Sequence, residues 1–214
     1  MHRILRIASI SLFCVLIGAT GADGRASANY GKFEGNLVFQ ANDDGRTMTL
    51  VRDYVYIDPK GTTWRAPAGS KVDGASIPRF AWSFIGGPYE GKYRNASVIH
   101  DIACIEKIRP WERVHETFYY AMLASGVETL TAKIMYAAVY HFGPRWLDPD
   151  KPHLPFGDPE SLATEPDPQQ LEADRKEFDD MVIKIRENEN SASPMTLQSI
   201  QDLKPASIPI HVIF

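Results

Sequence analysis

The chain has 214 residues, 44% of them hydrophobic, which is enough for one domain with a real core or for one domain with appendages. A net charge of -4 and a pI near 5.9 lack the basic footprint of a general nucleic-acid binder. Lys and Arg are scattered, with no run longer than two.

Residues 1–28 read as a secretory signal. Arg3 and Arg6 give a positive start, residues 7–18 are apolar apart from Ser9 and Ser11, and Ala26-Ser27-Ala28 fits the small-x-small cleavage pattern. The mature chain is expected to begin at Asn29 and to be periplasmic or secreted. The apolar stretch is shorter than the ~20 residues of a comfortable bilayer span, and an uncleaved anchor is the alternative. Cys14 is not followed by a small residue, which argues against a lipoprotein anchor, and no later segment reads as a transmembrane span. Cys14 leaves with the signal, so Cys104 is the one cysteine of the mature chain and stability must come from packing rather than an internal disulfide.

Residues 29–66 read as strands. Asn36-Leu37-Val38-Phe39-Gln40, Thr47-Met48-Thr49-Leu50-Val51, Asp53-Tyr54-Val55-Tyr56-Ile57 and Thr62-Thr63-Trp64-Arg65 are extended segments. The turn signals Asn42-Asp43-Asp44-Gly45 and Asp58-Pro59-Lys60-Gly61 separate them. The expectation is a small antiparallel meander with one face covered by the helices that follow. Residues 66–78 are a loop rich in Ala, Gly, Pro and Ser. Ser76 is placed to cap a short helix running to about residue 85, ended by Gly86-Gly87-Pro88.

Three helices are predicted next. Residues 93–107 carry Ile99, Ile102 and Ala103 on one face. Arg109-Pro110 breaks that helix, and residues 111–125 follow with Val114, Phe118, Ala121 and Met122 at helical spacing. After Gly126, residues 127–142 carry Leu130, Ile134, Ala137, Ala138 and His141 on one stripe, stopped by Gly143-Pro144. Such stripes are core faces by default. Prolines at 149, 152, 155, 159, 166 and 168 mark residues 147–170 as an extended arm or linker. Residues 171–188 form a charged helix whose thin stripe of Phe178, Met181, Val182 and Ile185 docks on the core or on a partner. The apolar end, Ile208 to Phe214, is a candidate edge strand.

The chemistry-bearing groups concentrate between Asp73 and His115. His100 lies one turn before Cys104 and faces the same way, whereas Asp101 points roughly 100° around the helix, toward Ser97 and Ile105. If the first two helices form a hairpin, His100, Asp101 and His115 converge as ligands for a divalent transition metal such as zinc, with Asp73 as a further ligand or an orienter. His115-Glu116 lacks the second histidine of the helical His-Glu-x-x-His motif. Alternatively, Ser76, His100 and Asp73 or Asp101 supply a nucleophile, base and orienter, although Ser76 is outside any Gly-x-Ser-x-Gly elbow. In the third reading Asp73-Gly74 is a tight turn, and the loop and helix are locked by buried hydrogen bonds as a structural clasp.

The string Asp-Gly-Ala-Ser-Ile-Pro at 73–78, then His100-Asp101, then Arg113 to Phe118, Met122 and Gly126, resembles a bacterial and phage family, domain of unknown function 1353 (DUF1353). The resemblance runs from about Asn36 to Trp146 and implies that Asp73, Ser76, His100 and Asp101 belong together. It also implies an Asp three residues before the position of Phe118, where this chain has His115. It implies no activity.

The sequence thus predicts an α+β domain over 29–146, a small antiparallel β meander followed by a three-helix unit, with a proline-rich arm (147–170) and a C-terminal helix and tail (171–214). Two functional readings follow. One is an exported hydrolase of peptidoglycan or peptide, metal-assisted through His100, Asp101 and His115, with Asp73 and Ser76 orienting. The other is a non-catalytic envelope or assembly protein whose polar cluster is a clasp and whose C-terminal arm binds a partner.

Overall fold

The structure is a computed structural model, and it describes residues 29–45, 47–73, 77–82, 91–147 and 168–203. The expected signal segment, Ser76, most of the proline-rich arm and the apolar end at 208–214 lie outside the described residues. Among the described residues six short strands precede the helices: β1 (Lys32–Glu34), β2 (Phe39–Ala41), β3 (Met48–Leu50), β4 (Tyr54–Ile57), β5 (Thr63–Ala66) and β6 (Lys71–Val72). Among the described residues five helices of at least five residues follow: α1 (Arg94–Glu106), α2 (Trp111–Ala124), α3 (Thr129–Phe142), α4 (Pro168–Glu189) and α5 (Leu197–Gln201). This is the expected α+β class. None of the described helices is long and apolar enough to cross a membrane.

The predicted meander divides into two antiparallel three-stranded sheets, ordered β1-β4-β5 and β2-β3-β6. The division falls at Val51 and Arg52, a bend with Val51 exposed, so β3 and β4 are consecutive without being neighbours. In the first sheet the strand period of two puts Tyr54, Tyr56, Trp64 and Ala66 inside, with Tyr56 opposite Trp64 and Tyr54 opposite Ala66. Phe33 of β1 stacks on Tyr54 with ring centres 5.4 Å apart. This aromatic face packs on α1, and β1 also touches α2.

The helices begin and end where local chemistry allows. Pro110, which has no N–H to leave unsatisfied, is the N-cap of α2. At the other end of α2, Gly126 (φ +78°) adopts the left-handed conformation. Gly126 N donates to Leu123 O and Val127 N to Met122 O, both at 3.0 Å. This paired Schellman closure turns the chain tightly from α2 into α3. Arg79–Ala81 is a 3-10 turn that leads into a helical Trp82, and the rest of the short helix expected to run to about residue 85 lies outside the described residues.

Helix α4 starts three residues before the predicted Leu171, because Pro168 is tolerated in a first turn. Its stripe of Phe178, Met181, Val182 and Ile185 is buried, and the helix lies against α3. Of the two destinations expected for that stripe, the core is the one occupied. Polar ties reinforce the packing: Lys133 Nζ to Glu189 Oε2 at 2.6 Å, Gln201 Nε2 to the Tyr136 hydroxyl at 2.7 Å, and His141 Nε2 to Ile200 O at 2.7 Å.

Candidate functional site: a buried histidine pair between α1 and α2

Helices α1 and α2 pack along each other and carry His100 and His115 into one interior layer. His100 Nε2 lies 2.8 Å from His115 Nδ1, and His115 Nε2 lies 3.1 Å from the carbonyl oxygen of Pro144. Cys104, one turn after His100, brings its Sγ to 3.6 Å from His100 Nε2 and 3.9 Å from Nδ1. Aromatic rings wall the pair. Phe118 lies 4.6 Å from the His100 ring centre, and Trp111 and Trp146 meet His115 edge-on at 5.5 and 6.5 Å. His100 is 1% exposed and His115 0%, so neither presents an edge to solvent.

Burial also sets their protonation. Desolvation pushes the His100 imidazolium down to about 3. His115 falls well below 6.5, mainly by burial and then by the neighbouring His100, against the raising effect of its bond to Pro144. Both rings are neutral near pH 7, and the tautomers follow from that. A carbonyl only accepts, so His115 Nε2 carries the hydrogen and its Nδ1 is a lone pair. His100 Nε2 must then be the donor to it. The bonds run in one direction, from α1 to α2 to the segment after α3.

That last acceptor is placed by Gly143. A Cβ there would stand 2.3 Å from Val139 O and 3.0 Å from its Cα and carbonyl carbon, all backbone atoms. Gly143→Ala should therefore push the chain outward, move the Pro144 carbonyl from His115 and cost about 1–3 kcal/mol, the usual range for forced overpacking. Urea denaturation checks it.

The other predicted site residues are placed differently. Asp101 is buried, but the donor atoms gathered within 4.8 Å of one another are those of His100, Cys104 and His115. The separation follows from helix geometry, since i and i+1 diverge by roughly 100° whereas i and i+4 align. Asp73 follows β6, half-buried, and is not in this group. Glu116, next to His115, faces outward and pairs with Arg113 at 2.6 Å and Lys60 at 3.4 Å.

Sequence reasoning treated Asp58 only as a turn residue, yet it is a buried hub. Its Oδ1 accepts the backbone N–H groups of Lys60 and Thr62 at 2.8 and 2.9 Å. Its Oδ2 accepts the Trp64 indole N–H at 3.0 Å and an Arg113 guanidinium N–H. Burial alone would raise the Asp58 carboxyl, but Trp64, Thr62, Arg113 and Lys60 together hold it below its ordinary value of 3.8. Asp58 thereby joins the β4–β5 hairpin to α2 at Arg113, two residues before His115.

On the other side of the wall lies a groove of ≈ 250 Å³ between β5 and the α1–α2 connection. Ile99, Ala103 and Val114 line it, and their chain neighbours His100, Cys104 and His115 turn inward. Trp64, Arg65, Glu106, Ile108 and Arg109 also line it, with the Arg109 guanidinium 4.2 Å above the Trp64 ring.

Comparison with known proteins finds relatives and one family model for part of the chain. The chain is 45% identical over 134 residues to the uncharacterized protein y4jT of Sinorhizobium fredii, an overlap of 62% of this chain and 40% of that protein. It is 45% identical over 103 residues to the uncharacterized protein y4iH of the same organism, covering 48% of this chain and 43% of that one. It therefore spans less than half the length of either relative. No solved structure matches it. Residues 48–139 match the family described as "Protein of unknown function (DUF1353)". His100, Cys104 and His115 all fall inside that match.

Proposed function

We propose that the chain is an exported, non-catalytic binding or assembly protein of the cell envelope, with the His100–His115 pair acting as a structural clasp between α1 and α2. The burial of the pair carries this reading. A general base must come within hydrogen-bond reach of the proton it abstracts, and these imidazoles already bond to each other and to Pro144 O behind aromatic walls. The groove beside them supports the same reading. Its described lining has no histidine, cysteine or aspartate; one carboxylate, Glu106, stands among apolar surface, an indole and two guanidinium groups, which suits binding better than bond cleavage. Ile108 at its rim is 64% exposed, an apolar anchor for a partner. A peptidoglycan or peptide hydrolase, metal-assisted or built on Ser76, would need His100 to face such a groove. The compartment rests on the charge and apolar pattern of residues 1–28.

A clasp and a catalytic dyad respond differently to truncation. His100→Ala leaves the His115 lone pair unsatisfied and opens a cavity, at about 3 kcal/mol. Melting should fall by roughly 6–12 °C for a chain of this size. A His100→Ala protein that melts with the parent but has lost a hydrolytic activity of the parent on peptidoglycan would refute the clasp. Sequencing the amino terminus of the periplasmic form tests the compartment, with Asn29 expected first.

A further inference from the structure

Cys104 joins the two histidines of the clasp in a metal-ligand set. Two imidazole nitrogens and one sulfur lie within 4.8 Å of one another. A metal bonded to nitrogen at about 2.0 Å and to sulfur at about 2.3 Å holds such atoms roughly 3.3–3.7 Å apart. The Cys104 Sγ to His100 Nε2 separation of 3.6 Å already falls there. The 2.8 Å between His100 Nε2 and His115 Nδ1 must widen by about half an ångström, a small turn of the rings. An independent feature is the bond from His115 Nε2 to the Pro144 carbonyl. It fixes the tautomer with the Nδ1 lone pair turned into the group, which is how ligating histidines are oriented by a carbonyl behind them.

We propose that His100 Nε2, His115 Nδ1 and Cys104 Sγ form a closed, three-coordinate copper(I) site. Thiolate with imidazole selects thiophilic ions, copper(I) and zinc(II) above all. Charge and coordination number separate the two. A monovalent ion with one thiolate is neutral, whereas zinc would leave a net positive charge in a buried apolar setting, where unpaired charge is costly. Zinc also calls for a fourth donor, and no further His, Cys or carboxylate among the described residues joins the group. The exchange balances: one copper(I) enters, the Cys104 thiol proton leaves to solvent, and the His100 proton moves from Nε2 to Nδ1. The ion stays copper(I), and no electron is transferred.

The test uses the full chain with Cys14→Ser, so that Cys104 is the sole thiol. It is titrated anaerobically with copper(I) supplied as its acetonitrile complex against bicinchoninate, and in parallel with zinc(II). The expected result is one copper(I) per chain with a near-ultraviolet sulfur-to-copper band, both lost in Cys104→Ala while circular dichroism shows that variant folded. Failure to draw copper(I) from the competitor, preference for zinc(II), or stoichiometric copper(I) in folded Cys104→Ala overturns the site. The melting of metal-free His115→Ala separates this idea from the clasp. If that variant is destabilised and the parent binds no copper(I), the clasp stands and the copper site is refuted. If it melts with the parent and the parent binds copper(I), the clasp is refuted and the copper site stands.

Discussion

Asp58→Ala should be among the most damaging substitutions in this protein, at about 3–5 kcal/mol, because it strips one of two acidic partners from a half-buried guanidinium and the acceptor from three other donors at once. The Trp64 indole N–H and Arg113 would lose their common acceptor, and the β4–β5 turn would lose both bonds that fold it around the carboxylate. Thermal melting should drop by roughly 6–20 °C. Asp58→Asn is the informative companion. Its amide oxygen can serve Lys60 and Thr62, but its NH₂ would then meet Trp64 and Arg113, donor against donor. Asn should therefore recover only part of the loss. The sign of the pH dependence follows from the lowered folded-state carboxyl. Its stabilising share is complete above 3.8, where the unfolded carboxyl is ionised, and disappears as pH falls through the lower folded value. The gap between parent and Asp58→Ala should close in acid. A full recovery of stability by Asp58→Asn would show that the charge on the hub is irrelevant.

The second large effect lies in alkali. Burial raises Tyr54 and Tyr119 to about 12, and Tyr119 is raised further by its neighbours Tyr30 and Tyr120. Tyr56 and Tyr136 are pushed higher still, again mainly by burial. Tyr56 donates its hydroxyl to the Tyr30 carbonyl, and the Tyr136 oxygen accepts from Gln201. In the unfolded chain these phenols ionise near 10. Above that pH the unfolded state sheds protons the folded state keeps, so stability is whole below 10 and falls across the window from 10 to 12. Each tyrosine contributes about 1.4 kcal/mol per pH unit, and the four together roughly 5–6. A domain of ordinary stability, about 5–15 kcal/mol, should unfold cooperatively within one to two units above 10. Tyrosinate absorbance near 295 nm and circular dichroism should change together, and Tyr136→Phe should move the midpoint upward. Gradual tyrosine ionisation from pH 10 with unchanged dichroism would contradict the burial argument.

What the sequence made legible follows from the range of each signal. Helices α1, α2 and α3 were readable because their apolar stripes repeat over three or more turns and Gly126, Pro110 and Gly143-Pro144 punctuate them. Strands β1 and β6 and helix α5, of two to five residues, are too short for any periodicity to register. The His100–Cys104 alignment was readable from spacing alone, and the approach of His115 followed from a helical hairpin. Pairing Asp101 with them required neighbours on a helix to share a face, which helix geometry opposes. Asp58 was unreadable as a hub because Arg113, its charged partner, lies 55 residues away. The Pro144 carbonyl that orients His115 is backbone, and backbone acceptors leave no mark in a sequence.

The family match from 48 to 139 begins at the first residue of β3 and ends within α3. Excised at those bounds, the segment would leave β3 without β2, β4 without β1, and α3 without the buried Phe178, Val182 and Ile185 stripe of α4. The bare strand edges and stripped helix would then become sticky ends for aggregation. The matched segment is smaller here than what folds as a unit. The residues around it act as an intramolecular chaperone that never departs, and a fragment cut at the match should collect in inclusion bodies unless strand and helix are supplied in trans.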